Sequence, residues 1–175
     1  ATRGVIGCSD HEYVNGSEMH RVRLRHYPIP GRVRSNNKVI YMATPLINKP
    51  ELFDLAPGKS VVEVLSKKGY EIYMVDHGDP GWEETELGLD FYGKTIPDFY
   101  IDILKKRHPG SETFVMASCM GGRLLMPYLS NRGFLSTPEV ADDLPCVVIA
   151  GRRRVKTKKT HTTTQSLSFI LHTRH

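Results

Sequence analysis

Hydrophobic and polar positions follow one another along the chain in the pattern of alternating β-strands and helices. The strict alternation at 19–27 predicts a strand with one exposed face, with Val22 and Leu24 on the buried side and arginines on the other. Short, mostly apolar runs predict strands that are buried on both faces. These runs lie at 39–43, 71–75, 112–116 and 146–150.

Helical spacing of apolar residues fills the intervals between these strands. Ser60 is the predicted N-cap of the first helix, with Glu63 at the capping-box position, and Gly69 is expected to end it. We expect the buried face of this helix to consist of Val61, Val64 and Leu65.

Two further helices are predicted, within 90–108 and over 122–129. Pro97 must either start the first of them or kink it. Strands that alternate with helices in this way indicate an α/β fold, in which a parallel sheet is covered by helices.

Length and composition restrict the class of protein further. The 175 residues suffice for one domain, and 39% hydrophobic with 25% charged residues is typical of a globular protein. No apolar run approaches the roughly 20 residues of a membrane span, and the first residues lack the apolar stretch of a signal peptide, so we expect none. Three scattered cysteines without a Cys-x-x-Cys pair argue against disulfides and against a metal site. These features predict a cytoplasmic protein without a membrane span.

The positive charge of the chain is concentrated at its C-terminal end. The net charge is +5, but 151–175 contain seven lysines and arginines and no acid, so the first 150 residues carry a net charge of −2. The basic segment is interleaved with threonine and lacks apolar periodicity, which predicts a disordered tail rather than a nucleic-acid-binding surface. We therefore divide the chain into a core at 1–150 and a tail at 151–175.

The candidate chemistry lies in one turn, between the strand that ends at 116 and the helix that begins at 122. The turn has the pattern small–x–nucleophile–x–Gly, which at a strand-to-helix junction is typical of the nucleophile elbow of α/β-hydrolases. Cys119 is selected over Ser118 because only Cys119 has small residues two positions away on both sides. The small residues of the predicted elbow are Ala117, Gly121 and Gly122.

A thiol suits this position. Amide groups at a helix N-terminus, together with the helix dipole, favour the thiolate, which is the attacking species. The backbone N–H of Met120 would donate to the oxyanion that develops during attack by Cys119. The same pattern also fits a buried structural cysteine beside a tight turn, so both interpretations remain open at the level of the sequence.

Two segments before this turn resemble the polyhydroxyalkanoate synthases. At 44–60 the chain has the Ile/Val-Asn-Lys/Arg core that precedes Asp-Leu-x-Pro and a helix in this family. Val-Asp-His-Gly-Asp-Pro at 75–80, followed by Leu-Asp-Phe-Tyr at 89–92, is similar to the family's next strand end and helix entry. Cys119 coincides with the catalytic cysteine of the family's lipase-like box, although Ala117 stands where the family has glycine.

The resemblance implies an acyltransferase with an α/β-hydrolase-like, mostly parallel sheet that has helices on both faces. It would transfer the acyl group of 3-hydroxyacyl-coenzyme A to Cys119, releasing coenzyme A, and then to the hydroxyl end of a growing polyester chain. By family position, a second oxyanion N–H would come from the region of Ile47. The coenzyme A thioester is a substrate, and no cofactor is implied. A homodimer or a second synthase subunit, and a location at the surface of polyester granules, are further expectations.

The acid and the histidine of a triad are not assigned by the sequence. In a hydrolase-type triad they follow the nucleophile in that order, but the acids after Cys119 precede the strand at 146–150 and the histidines lie in the tail. We therefore expect the C-terminal part of the fold to be missing and turnover to be weak. The alternatives are a cysteine-dependent thioesterase or esterase, and an inactive fragment.

Three polar residues follow the strand at 71–75, at the end of a strand where α/β sites gather. They are Asp76, His77 and Asp79, and a Gly/Pro-rich turn explains them without a function. His20 and His26 are expected on the surface of the first strand.

Overall fold

The structure is a computed structural model that describes residues 7–131, 146–149 and 169–170. Within these ranges the chain forms one sheet. Its strands are β1 (Glu12–Tyr13), β2 (Arg23–Tyr27), β3 (Lys38–Ala43), β4 (Tyr70–Asp76), β5 (Glu112–Ser118), β6 (Cys146–Ile149) and β7 (Phe169–Ile170). Their order across the sheet is β1-β2-β4-β3-β5-β6-β7.

The centre of the sheet is parallel. Strand β3 pairs in parallel with β4 on one side and β5 on the other, and β5 pairs in parallel with β6. Strands β1, β2 and β7 add to the two sides in antiparallel orientation. The carboxyl ends of β3, β4 and β5 therefore lie at one edge of the sheet, where ligand sites of α/β proteins form.

Helices cover both faces of this sheet. On one face, α1 (Val61–Ser66) and a 3-10 turn at Pro50–Phe53 pack against Ile40, Ile72 and Met74. On the other, α2 (Ile96–Arg107) and α3 (Cys119–Asn131) pack against the alternate residues of the same strands. The predicted α/β fold with helices on both faces is confirmed, but the sheet is mixed rather than mostly parallel, since half of its strand pairings are antiparallel.

Helix α1 begins as predicted but buries a different face. The Ser60 hydroxyl accepts a hydrogen bond of 2.9 Å from the amide of Glu63, which is the expected N-cap. Val62 is fully buried, whereas Val61 and Val64 are exposed, so the predicted buried face is wrong at those two valines. The helix has only six residues, fewer than two turns, so the spacing of its apolar residues does not fix the side that meets the sheet.

Strand β2 also differs from its predicted half-exposed form. Val22 and Leu24 are buried as expected, but Arg25 is buried on the opposite side, with 8% of its surface exposed. His26 is not a surface residue: its side chain is 12% exposed and its ring stacks on Tyr73 at 4.5 Å between centroids. The alternation predicted the strand correctly. The polar side of the strand is nevertheless buried, because residues distant in sequence pack against Arg25 and His26.

The two later helices follow the sequence closely. Pro97 lies in the first turn of α2, directly after a π-helical turn at Phe91–Thr95, so it starts this helix. Helix α3 begins at Cys119, three residues earlier than expected, because β5 leads into it directly. The predicted tail at 151–175 lies outside the described residues except for β7. In the part of the chain that the structure describes, no helix is long and apolar enough to cross a membrane.

Candidate active site

Cys119 occupies a sharp junction between a strand and a helix. Strand β5 ends at Ser118 and α3 begins at the next residue. Cys119 has a φ of +51°, in the left-handed region that residues with a Cβ rarely adopt, and such a conformation costs on the order of 1–2 kcal/mol. Its thiol is exposed. Exposure does not fit the alternative in which this cysteine is a buried structural residue.

Close packing against β3 requires the small residue at position 121. A Cβ on Gly121 would lie 2.5 Å from the carbonyl oxygen of Ala43 and 2.8 Å from that of Thr44. Both atoms belong to the backbone, so neither can move aside cheaply. On the strand side, Ala117 is only 1% exposed. Steric constraints at both positions thus explain the small residues on either side of Cys119.

The two residues that are predicted to supply oxyanion amides lie on neighbouring elements. Met120 is in the first turn of α3, where backbone N–H groups have no acceptor within the helix. Ile47 lies in the loop after β3, and its side chain is 77% exposed. Because β3 and β5 are adjacent and parallel, this loop and the Cys119 turn lie at the same edge of the sheet.

The acid at the end of β4 belongs to a buried ion-pair network. Asp76 accepts hydrogen bonds of 2.8 Å from Tyr13 and Arg25 and one of 2.9 Å from the amide of Gly78. Arg25 also donates to Glu51 at 2.7 Å. Burial by itself would raise the pKa of the Asp76 carboxyl, but the bonds from Gly78, Tyr13 and Arg25 outweigh it and lower this pKa below its ordinary value. Asp76 is therefore a charged structural anchor of this edge.

His77, the next residue, has one ring nitrogen engaged and one free. Its Nε2 lies 3.2 Å from the carbonyl oxygen of Thr44. A carbonyl can only accept, so Nε2 carries the proton and Nδ1 has a lone pair. Nδ1 is buried and has no hydrogen-bond partner among the described residues. Burial lowers the pKa of His77, against smaller opposing effects of Thr44 and Asp76, so the imidazole is neutral at pH 7.

A small pocket connects His77 with the Cys119 turn. Thr44 and Gly121 line it beside His77, and most of its remaining wall is apolar. We call this space the β3–α3 pocket; its apolar wall includes Tyr41, Val75, Ile96 and Leu125. Sequence reasoning noted that His77 directly follows a buried strand, but it explained the residue as part of a turn without a function.

No triad is complete within the described residues. In 7–131, no hydrogen bond joins Cys119 to a histidine or a carboxylate, and no cluster of metal-ligating side chains occurs. The acids and histidines that follow the nucleophile along the chain lie outside the described residues. They are Glu139, Asp142, Asp143, His161, His172 and His175.

Solved structures with a similar fold include hydrolases. A carboxyl esterase from Bacillus coagulans matches 81% of this chain and 43% of its own with a TM-score of 0.55 at 12% identity. An α/β serine hydrolase from Xanthomonas campestris matches 81% of this chain and 70% of its own with a TM-score of 0.51 at 10% identity. At these identities the likeness concerns the fold alone, and it defines this protein as one with an α/β-hydrolase fold.

Curated relatives share a closer likeness in sequence. The poly(3-hydroxyalkanoate) polymerase subunit PhaC of Haloferax mediterranei is 30% identical over 131 residues, which cover 71% of this chain and 26% of the relative. PhaC of Haloarcula marismortui is 26% identical over 118 residues, covering 63% of this chain and 25% of the relative. The predicted resemblance is confirmed: the chain is a homologue of the polyhydroxyalkanoate synthases. It spans about a quarter of the length of these two relatives. No family model matches the chain.

Proposed function

We propose that this chain carries the nucleophile of an acyltransferase of the polyhydroxyalkanoate synthase type. Cys119 would accept a 3-hydroxyacyl group from coenzyme A and pass it to the hydroxyl end of a polyester chain. The proposal rests above all on an exposed thiol, held at a φ of +51° on the junction between β5 and α3. Strained backbone at a strand-to-helix turn is the geometry that exposes a nucleophile in this fold class.

The acylation step exchanges one thioester for another. The sulfur of Cys119 attacks the thioester carbonyl carbon, the bond from that carbon to the coenzyme A sulfur breaks, and the thiol proton ends on the released coenzyme A. The acyl group stays activated because thioester-to-thioester exchange is close to isoenergetic. The amide of Met120, with a second amide from the region of Ile47, would donate to the oxyanion during attack.

The transfer step needs a base. The chain-end hydroxyl oxygen attacks the Cys119 thioester, an ester bond forms, and the cysteine sulfur leaves and regains a proton. A histidine would take the hydroxyl proton, and an acid would orient that histidine. The resemblance implies that both residues follow the nucleophile along the chain. We therefore expect acylation by this chain to be faster than complete turnover.

The names of the relatives also support a proposal about partner subunits. They are named as polymerase subunits, which supports the proposal that this chain acts with a second copy or a second synthase subunit. The proposed product also bears on location. A water-insoluble polyester separates from the cytoplasm as granules, so the enzyme would act at the granule surface.

The test is to incubate the protein with 3-hydroxybutyryl-coenzyme A while intact mass and released coenzyme A are followed together. We expect one acyl group per chain with one equivalent of coenzyme A released, and neither in Cys119→Ala. Cys8→Ala is the matched control and should acylate normally, because Cys8 lies away from the site beside Asp54.

Three other outcomes would modify or contradict the proposal. Release of free 3-hydroxybutyrate without polymer would favour the thioesterase or esterase alternative on the same fold. Sustained turnover that is lost in Cys119→Ala and also in His161→Ala or His172→Ala would show that the C-terminal segment completes the site. Absence of acylation at Cys119 would contradict the proposed role of this residue.

A further inference from the structure

One histidine of the sheet is held between two carboxylates. Nδ1 of His26 lies 3.0 Å from Oε1 of Glu12, and Nε2 lies 2.6 Å from Oε2 of Glu71. Strand register brings them together, because Glu12 of β1 is opposite His26 of β2, and His26 is opposite Tyr73 of β4. Glu71 lies two residues before Tyr73, on the same face of the sheet. Glu12, His26 and Glu71 form what we call the Glu12–His26–Glu71 cluster.

The two contacts define the protonation state of His26. An ionised carboxylate can only accept hydrogen bonds, so a ring nitrogen that bonds to one must carry a proton. Only the imidazolium form has a proton on both nitrogens. Burial by itself would lower the pKa of His26, but the bonds to Glu71 and Glu12 outweigh it and raise this pKa above its ordinary value. His26 is therefore a cation that bonds to a strand on each side of β2.

The other groups that face His26 keep their charge near neutral pH. The ring of His26 stacks on that of Tyr73, and burial raises the pKa of the Tyr73 phenol above its ordinary value of about 10. His108 contacts the Tyr73 hydroxyl at 2.7 Å, and burial lowers the pKa of this histidine, so it is neutral above pH 6.5. Arg107, at the end of α2, adds a fixed positive charge beside Tyr73. The group whose charge changes as the pH rises above neutral is then His26.

Loss of the His26 proton removes one of the two contacts. A neutral imidazole donates from one nitrogen and has a lone pair at the other, which cannot bond to a carboxylate. The side chain of Glu12 is 67% exposed and that of Glu71 only 24% exposed, so Glu12 turns to water at the lower cost. Strand β1 has two residues and lies at the end of the sheet, so it has few other contacts to hold it.

We propose that the Glu12–His26–Glu71 cluster is a pH-sensitive device, which holds the edge strand β1 on the sheet while His26 is protonated and loosens it when His26 loses its proton. The pKa of His26 is higher in the folded than in the unfolded protein. The stabilisation of β1 is therefore complete below about pH 6.5, the unfolded value, and is lost as the pH rises through the folded pKa.

The device would connect pH to the ion-pair network after β4. Tyr13 directly follows Glu12, and its hydroxyl donates to Asp76 at 2.8 Å. Movement of β1 away from β2 would therefore also withdraw one of the hydrogen bonds that hold Asp76. This inference goes beyond the proposed function and is independent of it, since Cys119 has no part in the cluster.

The first test measures the protonation of His26 directly. The ring nitrogens of His26 are followed by ¹⁵N NMR in the unmodified protein and in Glu12→Gln as the pH is raised from about 5.5 to 9.5. We expect protons on both nitrogens at pH 6, a midpoint above about 6.5, and a lower midpoint in Glu12→Gln, which lacks one carboxylate. A single protonated nitrogen at pH 6, or a midpoint at or below the ordinary value, would overturn the inference.

The second test measures how firmly β1 is held. The amide of Val14, directly after β1, donates to the carbonyl of Leu24 at 2.9 Å, so its hydrogen exchange reports the release of this strand. Each rate is divided by that of an unstructured peptide at the same pH, which removes the pH dependence of the exchange chemistry. We expect the protection of Val14 to fall by about threefold to tenfold between pH 6 and pH 9.

Two variants separate the cluster from other titrating groups. In Glu12→Gln the protection of Val14 should already be reduced at pH 6 and should change little as the pH rises. Glu18→Gln, a matched change at an exposed acid of the same segment, should behave as the unmodified protein does. Protection that does not change with pH, or that falls equally in Glu12→Gln and in the unmodified protein, would overturn the inference. Neither result would affect the proposed acyl transfer, because acylation of Cys119 is measured separately.

Discussion

Two neighbouring turns at the same edge of the sheet are built in opposite ways. After β5 the chain enters α3 with no intervening residue, and Cys119 is left exposed in a strained conformation. After β4 the chain makes a long connection before α2, and Asp76 is buried in a network with Arg25 and Glu51. The turn after β5 exposes a thiol, whereas the turn after β4 buries its charged groups.

The two turns differ in the contacts that hold them in place. The junction at Cys119 is closed by backbone contact, because Gly121 packs directly on the carbonyls of Ala43 and Thr44. The end of β4 is held by charge-assisted hydrogen bonds, which are among the stronger polar contacts in proteins. We infer that the ion-pair network secures the edge of the sheet against which the strained junction rests.

The largest expected effect concerns the thiol reactivity of Cys119 compared with that of Cys8. Cys119 should react with iodoacetamide much faster than Cys8, and Cys119→Ala should abolish the fast phase. Cys8 is partly buried and donates to Asp54 at 3.2 Å, and burial together with this carboxylate raises the pKa of its thiol. Peptide mapping after brief labelling measures both rates. Equal labelling of the two thiols in the folded protein would contradict the prediction that Cys119 is the more reactive thiol.

The next effect tests the network after β4. Arg25→Met would leave the buried carboxylate of Asp76 without its cation, and we expect it to lower the free energy of unfolding by about 3–5 kcal/mol. Urea denaturation measures the change. The matched control is Arg32→Met at an exposed position, which should stay within about 0.5 kcal/mol of the unmodified protein. A loss in Arg25→Met no larger than in the control would mean that the network does not secure this edge.

A smaller effect is expected at the turn after β5. Gly121→Ala places a Cβ against two backbone carbonyls and should cost about 1–3 kcal/mol of stability. It should also change the labelling rate of Cys119, because α3 must shift away from β3. Gly88→Ala is the matched control, since nothing lies within 4 Å of the added carbon. Equal stability of the two variants would contradict the close packing described for this turn.

The smallest effect is a pH dependence of stability at the β4 turn. Asp76 has its pKa lowered in the folded state, so its contribution to stability is complete above its unfolded pKa of about 3.9. That contribution is lost as the pH falls further, through the folded pKa. Urea midpoints measured from pH 6 to pH 3 should therefore drop below about pH 4, and less steeply in Asp76→Asn. An identical slope in this variant would show that Asp76 does not titrate as its contacts predict.

The sequence predicted correctly those features that residues close together along the chain determine. The apolar runs of β3, β4 and β5 predicted buried parallel strands because each needs an apolar environment on both faces. The Ser60 cap was predicted because a side chain and an amide three residues apart decide it. The choice of Cys119 over Ser118 followed from the spacing of small residues; the role of Cys119 as nucleophile stays a prediction, which the exposed thiol and the contact of Gly121 support.

Other features were decided only by the tertiary structure. The burial of Arg25 depends on Asp76 and Glu51, which lie 51 and 26 residues away along the chain. The inward side of α1 depends on the angle at which a short helix meets the sheet. The free nitrogen of His77 depends on a carbonyl 33 residues away. The order of residues thus determined the strands, the caps and the candidate nucleophile, because neighbours along the chain set them. Packing decided which polar groups are buried together, because those contacts form only when distant segments meet.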